Sequence, residues 1–123
     1  MSKKTILIVD DQGELRKLVR MTLEFGDYEL HEAENGQRAL ALAEAIEPDL
    51  IILDVMMPGE LDGYQVCQKL KKENMKKVPY VMLLTARGQK SDLEEGQRVG
   101  ADNYLVKPFS PLELIEKVKN ALA

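Results

Sequence analysis

The chain has 123 residues, 45% of them hydrophobic and 31% charged, which is the composition of one globular domain with its own core. Its formal net charge of −4 gives no general attraction to nucleic acid or to an anionic membrane, so neither is expected as a partner. The single cysteine, Cys67, excludes an internal disulfide and a multi-cysteine metal site.

The first strand and helix are predicted close to the amino terminus. Thr5 to Val9 is apolar and β-branched, which predicts a buried strand, and the run stops at Asp10 and Asp11. This run is too short for a signal peptide or a membrane span, so a cytoplasmic protein is expected. Beyond Gln12 the apolar positions recur with the period of an amphipathic helix, at Leu15, Leu18, Val19, Thr22 and Leu23.

The next two strands differ in polarity. Tyr28 to Ala33 has mixed polarity, which predicts a strand near the edge of a sheet, and an alanine-rich helix follows it. Ile51 to Val55 is apolar apart from Asp54 near its end, the pattern of a strand buried on both faces of a parallel sheet. Taken alone, Asp54 would be a solvated carboxylate at the rim of a crevice. A third helix is predicted over Gly63 to Asn74.

The fourth strand also ends in polar and small residues. Val78 to Leu84 is an apolar run that predicts a buried strand, and it ends at Thr85 and Ala86. The helix predicted over Gln89 to Val99 is weak, because Gly96 lowers its intrinsic helix propensity. We expect this helix to be among the elements that move most easily.

A fifth strand and helix complete the pattern. Asn103 to Val106 predicts a short strand followed by Lys107 and Pro108, and Ser110 begins a capping box that opens the last helix. Five alternating strands and helices predict an α/β fold, with a parallel sheet and helices on both of its faces. The alternation alone leaves the strand order open.

The polar residues that follow these strands would meet at one edge of a parallel sheet; they are Asp10, Asp11, Asp54, Thr85 and Lys107. Two carboxylates about 4 Å apart repel by roughly 4 kcal/mol at an effective dielectric of about 20, so three acids in one crevice require cations. Lys107 can offset one charge. Mg²⁺ bound by carboxylate, carbonyl and water oxygens would offset two more, and Mn²⁺ is the alternative ion.

A site of this kind suits phosphoryl transfer, which depends mainly on positioning and charge neutralisation. Asp54 is the better candidate for a nucleophile that forms an acyl phosphate, because it stands alone at its strand while the adjacent pair of acids suits metal binding. Thr85 could donate its hydroxyl to one phosphoryl oxygen, and Lys107 could neutralise another.

Four motifs of the chain resemble the receiver domain of bacterial two-component response regulators, and the resemblance extends from Ile6 to Leu122. The motifs are Val9-Asp10-Asp11, Leu53-Asp54 with Met57-Pro58 beyond it, Thr85-Ala86, and Tyr104 to Phe109. The resemblance implies a flavodoxin-like (βα)5 fold, a five-stranded parallel sheet of order 2-1-3-4-5 with helices on both faces. Because the sequence ends right after the last helix, we expect one receiver domain over residues 1–123, a stand-alone response regulator with no output domain; an excised fragment of a longer regulator is the alternative.

The same resemblance assigns a role to each site residue. It implies that Asp54 accepts a phosphoryl group from the phosphohistidine of a sensor histidine kinase. Asp11 would bind Mg²⁺ directly, Asp10 mainly through water, and Asp54 and the Met56 backbone carbonyl would complete the protein ligands. Thr85, the backbone amide of Ala86, and Lys107 would hold the phosphoryl oxygens, and a cis peptide bond is implied between Lys107 and Pro108.

The resemblance further implies a conformational switch and a partner-binding face. Thr85 would move toward the phosphoryl group while Tyr104 turns inward, which changes the surface formed by the fourth helix, fifth strand and fifth helix. A histidine phosphotransfer protein or an output protein would bind there. We expect a signalling switch that only phosphorylates and slowly dephosphorylates itself, and not an enzyme acting on other substrates.

Two features depart from the family pattern. The loop from Pro58 to Gly63 has one residue more than the family usually places there, so a bulge over the site is expected. Met56 and Arg87 occupy the two variable positions beside the phosphoryl site, and we expect Met56 to shield an acyl phosphate from water.

Two other classes of protein remain open as alternatives. Aspartyl-phosphate hydrolases also place carboxylates at strand ends, but they usually carry a second Asp two residues after the nucleophile, where this chain has Met56. A binding module that works without phosphorylation is the other alternative, although such a module would not need the complete set of acids, hydroxyl and lysine.

Overall fold

The computed structural model describes residues 3–57, 59, 61–72, 77–86 and 90–123, with residue 90 described through its backbone alone. The strands within these ranges are β1 (Lys4–Val9), β2 (Tyr28–Ala33), β3 (Leu50–Asp54), β4 (Tyr80–Thr85) and β5 (Asn103–Val106). The helices are α1 (Gly13–Leu23), α2 (Gly36–Ile46), α3 (Gly63–Lys72), α4 (Lys90–Arg98) and α5 (Pro111–Ala121). The predicted alternation of strands and helices is confirmed.

The strands form one parallel sheet in the order β2-β1-β3-β4-β5, as the resemblance implies. β3 lies at the centre of the sheet and every one of its residues is buried, in agreement with its apolar sequence. β2 lies at the edge, where its mixed polarity is tolerated because one side of the strand is open. The sheet order places the ends of β1 and β3 side by side.

Two apolar cores lie on opposite faces of the sheet. Alternate β3 side chains enter different cores: Ile51 and Leu53 pack with α2 and α3, whereas Leu50 and Ile52 pack with α1 and α5. Cys67 of α3 is buried in the first of these cores, and burial raises the pKa of its thiol to about 11. This environment agrees with the inert, structural role expected of a buried cysteine.

Some element boundaries differ from the predicted ones: β1 begins one residue earlier, at Lys4, and β3 spans Leu50–Asp54 instead of Ile51 to Val55. β4 begins at Tyr80, because the Tyr80 N–H donates to the Asp49 carbonyl at 3.0 Å while Pro79 has no N–H to donate. In α1, the predicted core position Leu18 is 51% exposed, because Val19 and Leu23 turn the buried side of the helix away from it. The predicted end of α3 at Asn74 and start of α4 at Gln89 lie outside the described residues.

Within the described ranges, no helix combines the length and the apolar character needed to cross a membrane.

Candidate functional site

The carboxyl ends of four neighbouring strands bring the predicted site residues together. Asp54 and Thr85 are the last residues of β3 and β4, while Asp10 and Lys107 directly follow β1 and β5. Asp10, Asp54 and Thr85 are only 1%, 3% and 4% exposed, respectively. Polar side chains this deeply buried at the end of a sheet require partners, because desolvation of an ionised group is costly.

The acids and the lysine form one compact cluster. Carboxylate oxygens of Asp10, Asp11 and Asp54 lie within 4.8 Å of one another, and Asp11 is the exposed member. The Lys107 Nζ lies 3.2 Å from Asp54 Oδ2 and 3.8 Å from Asp10 Oδ2. One ammonium group therefore faces two buried carboxylates, and negative charge is left in excess.

Backbone amides fix the orientation of both buried acids. The Gln12 N–H donates to Asp10 Oδ1 at 2.8 Å, and the Met56 N–H donates to Asp54 Oδ1 at 3.0 Å. The other Asp10 oxygen, Oδ2, is buried, and no donor among the described residues lies within hydrogen-bonding distance of it, since the Lys107 Nζ is 3.8 Å away. A buried acceptor without a donor, beside two more carboxylates, is the environment that a hard divalent cation such as Mg²⁺ satisfies.

The pKa of Asp10 reflects this crowding. Burial raises the pKa of its carboxyl to about 6, the Gln12 N–H and Lys107 lower it, and the neighbouring Asp54 raises it. In the metal-free protein, Asp10 is therefore costly to ionise near neutral pH.

We expect the metal-free protein to become more stable on mild acidification. The pKa of Asp10 is about 6 in the folded chain against an ordinary value of 3.8, so protonation of Asp10 stabilises the folded chain. This contribution to the free energy of unfolding is complete below the ordinary pKa and is lost as the pH rises through the folded-state pKa. Between about pH 7 and about pH 5, the free energy of unfolding should increase by about 1 kcal/mol. Urea titrations in a chelator would measure this increase, and Asp10→Asn should remove it. Parallel pH profiles for the two proteins would contradict the assignment.

The structure also places the remaining residues of the expected site. The Thr85 carbonyl accepts the Lys107 N–H at 2.7 Å, which joins the ends of β4 and β5. Ala86 follows Thr85 at the surface, and the Met56 side chain is 70% exposed beside Asp54. The implied cis peptide bond between Lys107 and Pro108 is confirmed. Arg87 and the loop residues Pro58 and Glu60, on which the expected bulge depends, lie outside the described residues.

Tyr104 joins β5 to α4. Its phenol donates to the Leu93 carbonyl at 2.8 Å, and the half-buried ring lies directly over Gly96. A Cβ atom at residue 96 would lie 2.4 Å from the Tyr104 ring. The sequence suggested only that Gly96 weakens the helix; in the structure, Gly96 also provides the space in which the Tyr104 ring packs.

Gly63 is a residue that the sequence did not assign to the site. It begins α3, and a Cβ atom there would lie 2.3 Å from the Asp54 carbonyl oxygen and 2.6 Å from the Val55 Cα. Its N–H donates to the Val55 carbonyl at 3.2 Å. Gly63 therefore supports the backbone that carries Asp54, and the only sequence signal for it is a glycine after Asp62 at a helix start.

Comparison with known proteins gives consistent results. Residues 6–119 match the family described as "Response regulator receiver domain". The chain is 44% identical over 117 residues to the transcriptional regulatory protein ResD of Bacillus subtilis, covering 95% of this chain and 47% of ResD. It is 43% identical over 122 residues to the phosphate regulon transcriptional regulatory protein PhoB of Pseudomonas aeruginosa, covering 99% of this chain and 53% of PhoB. The chain thus spans about half the length of these curated relatives.

Solved structures show the same similarity. The chemotaxis protein CheY4 of Vibrio cholerae has a TM-score of 0.90 and 32% identity, over 98% of this chain and 99% of that one. The receiver domain of a Francisella response regulator has a TM-score of 0.87 and 32% identity, over 97% of this chain and 96% of that one. The chain therefore belongs to the receiver domain family of two-component response regulators, signalling switches that receive a phosphoryl group from sensor kinases.

Proposed function

We propose that Asp54 is the residue that accepts the phosphoryl group, from a phosphohistidine of a sensor histidine kinase. The observation that supports this most is the buried Asp54 carboxylate lying 3.2 Å from the Lys107 ammonium, at the edge where two further acids converge. A carboxylate held beside a cation at the open edge of a parallel sheet can reach a phosphorus atom presented by a partner.

The acid cluster would hold Mg²⁺, with Mn²⁺ as the alternative ion. Asp11 and Asp54 would supply carboxylate oxygens, Asp10 would act mainly through water, and the Met56 backbone carbonyl would be a further ligand. When bound, the ion neutralises charge on the acids and on the phosphoryl oxygens. The unsatisfied Asp10 Oδ2 and the excess negative charge support this assignment.

The transfer itself needs few groups from the chain. An Asp54 carboxylate oxygen forms a bond to phosphorus as the bond from phosphorus to the histidine nitrogen breaks, and the electron pair stays on that nitrogen. The imidazole leaves neutral because its other ring nitrogen carries the proton. Lys107, the Thr85 hydroxyl and the Ala86 amide would hold the three phosphoryl oxygens, which stabilises the charge that develops on them. The chain's own catalysis would be limited to gaining and losing this group.

The phosphorylated state would be read through Thr85 and Tyr104. Thr85 closes β4 beside Asp54, and Tyr104 pairs with Leu83 in the β4–β5 ladder. A shift of Thr85 toward the phosphoryl group would free space for the Tyr104 ring. The surface formed by α4, β5 and α5 would change as a result, and a phosphotransfer protein or an output protein would bind there.

The packing of Tyr104 on Gly96, on which this readout depends, can be tested directly. Gly96→Ala should displace the Tyr104 ring and break its bond to the Leu93 carbonyl, destabilising the protein by about 1–2 kcal/mol. Phosphorylation should stay within about twofold of the wild-type rate, since the acids and Lys107 are untouched. Urea unfolding and the NMR contacts of the Tyr104 ring would measure these effects. Tyr104→Phe is the matched variant, because it removes the hydroxyl and keeps the ring over Gly96. Unchanged ring contacts in Gly96→Ala would contradict the close packing of the Tyr104 ring on Gly96.

The chemistry is tested by incubating the protein with Mg²⁺ and a small acyl phosphate, followed by intact mass. The expected result is a gain of one phosphoryl group that hydroxylamine removes and a chelator prevents. No gain with a competent donor would favour a binding module that works without phosphorylation. Rapid consumption of excess donor without a lasting gain would favour an aspartyl-phosphate hydrolase.

A further inference from the structure

An ionic network on α1 reaches the backbone of the acid cluster. The Arg16 Nη1 donates to the Asp10 carbonyl at 2.7 Å, and its Nε donates to Glu32 Oε1 at 2.9 Å. Arg20 donates to the other Glu32 oxygen, Oε2, at 2.8 Å. Glu32 of β2 thus holds two arginines from successive turns of α1, but only Arg16 contacts the backbone next to the acids.

We propose that Arg16 is a positioning residue for the pair Asp10 and Asp11. This inference deepens the proposed function and rests on the acid cluster binding Mg²⁺. The pair lies just beyond the end of β1, where the sheet no longer fixes the backbone on both sides. Any rotation of the peptide between Asp10 and Asp11 would redirect both carboxylates.

Three contacts restrain the backbone and side chain of Asp10, and the Arg16 contact acts on the Asp10–Asp11 peptide itself. The Asp10 N–H donates to the Ala33 carbonyl at 3.2 Å, the Gln12 N–H donates to Asp10 Oδ1 at 2.8 Å, and Arg16 holds the Asp10 carbonyl. With these groups bound, Asp10 Oδ2 remains directed toward Lys107 and Asp54. The Arg16 contact is the one that restrains the carbonyl and thereby the direction of Asp11.

The guanidinium group suits this task because its donors form a rigid fork. One arm of the fork is fixed by Glu32, so the other arm is held in place for the Asp10 carbonyl. The side chains of Arg16 and Glu32 are only 21% and 30% exposed, so the network is partly shielded from water. A purely structural reading is that the network only connects α1 to β2. In that case Arg16 and Arg20 would affect Mg²⁺ binding equally, because each forms one ion pair with Glu32; the further Arg20 pair, with Glu24 at 3.7 Å, lies within α1 and directly after it, away from the acids.

The two arginines therefore provide a matched test. Mg²⁺ binding would be measured by calorimetry on the full chain for the wild type, Arg16→Gln and Arg20→Gln, with unfolding in a chelator measured in parallel. Arg16→Gln should weaken Mg²⁺ binding by about 10-fold, a typical loss when a group that orients a metal ligand is removed. Arg20→Gln should change the Mg²⁺ affinity by less than about twofold. The two substitutions should lower the free energy of unfolding by similar amounts. The Arg16→Lys side chain can reach the Asp10 carbonyl or Glu32 but not both, so its Mg²⁺ affinity should lie between those of the two glutamine variants. Arg16→Lys replaces Arg16→Gln in the test if Arg16→Gln does not fold.

The outcomes separate this inference from the proposed function. Equal Mg²⁺ affinities for Arg16→Gln and Arg20→Gln, or a wild-type affinity in Arg16→Lys where Arg16→Gln does not fold, would overturn the positioning role. A wild type that binds no Mg²⁺ would overturn the metal site itself, and with it the function on which the inference rests.

Discussion

Asp54→Asn is expected to lose all phosphorylation by an acyl phosphate while remaining fully folded. An amide oxygen is a poor nucleophile toward phosphorus, but it can still accept the Met56 N–H that now binds Asp54 Oδ1 at 3.0 Å. The substitution also removes one of three crowded carboxylates. Without metal, the variant should therefore be more stable than the wild type, by about 1 kcal/mol or more.

The matched control for this variant is Asp62→Asn. Asp62 lies just before α3, and its side chain accepts the Gln65 N–H at 2.9 Å, a capping role that asparagine fills equally well. Intact mass after incubation with Mg²⁺ and donor should show a full phosphoryl gain for Asp62→Asn and none for Asp54→Asn. Retained phosphorylation in Asp54→Asn would show that a different carboxylate is the acceptor.

Gly63→Ala is expected to be the most destabilising methyl addition near the site, lowering the free energy of unfolding by about 3 kcal/mol or more. The added Cβ would lie 2.3 Å from the Asp54 carbonyl oxygen and 2.6 Å from the Val55 Cα. Both are backbone atoms, at the last residue of β3 and at the residue directly after it, so no side-chain rotation can relieve the contact. Relief requires α3 or the Asp54 backbone to move, and the phosphorylation rate should therefore fall along with stability.

Gly13→Ala provides the comparison for Gly63→Ala, because Gly13 also begins a helix. A Cβ atom there would meet only the end of the Arg16 side chain, at 3.8 Å, so the change should be neutral or slightly stabilising. Urea unfolding of both variants gives the difference directly. Equal stability of the two variants would mean that the contact between α3 and the end of β3 is not as close as the structure shows.

Much of the fold follows from local sequence patterns. Each central strand has an apolar run, which predicts a strand buried on both faces and not one with an exposed face. In β3, Leu50 to Asp54 is buried at every position. The capping box predicts a helix start at Ser110, and in the structure the Ser110 hydroxyl accepts the Glu113 N–H at 3.1 Å. The strand order followed only from the family resemblance, since alternation of strands and helices fits several orders.

The candidate site also has residues that the sequence predicts and residues that it does not. The sequence predicts that Asp10, Asp54 and Lys107 lie together, because parallel strands bring their carboxyl ends to one edge of the sheet, and the structure places them together. The sequence does not indicate the roles of Gly63 and Arg16, since these depend on contacts with the backbone of other elements, Gly63 with Asp54 and Val55, and Arg16 with Asp10. No periodicity in the sequence reports such contacts.

The central claim is that Asp54, and neither of the neighbouring acids, carries the phosphoryl group. Reduction of the phosphorylated protein with borohydride converts an aspartyl phosphate to homoserine, and peptide sequencing by mass spectrometry then identifies the modified residue. The account predicts homoserine at residue 54 only, formed in the presence of Mg²⁺ and absent when the ion is chelated. Homoserine at residue 10 or 11, or no reduction product from a protein that has gained the phosphoryl mass, would contradict it.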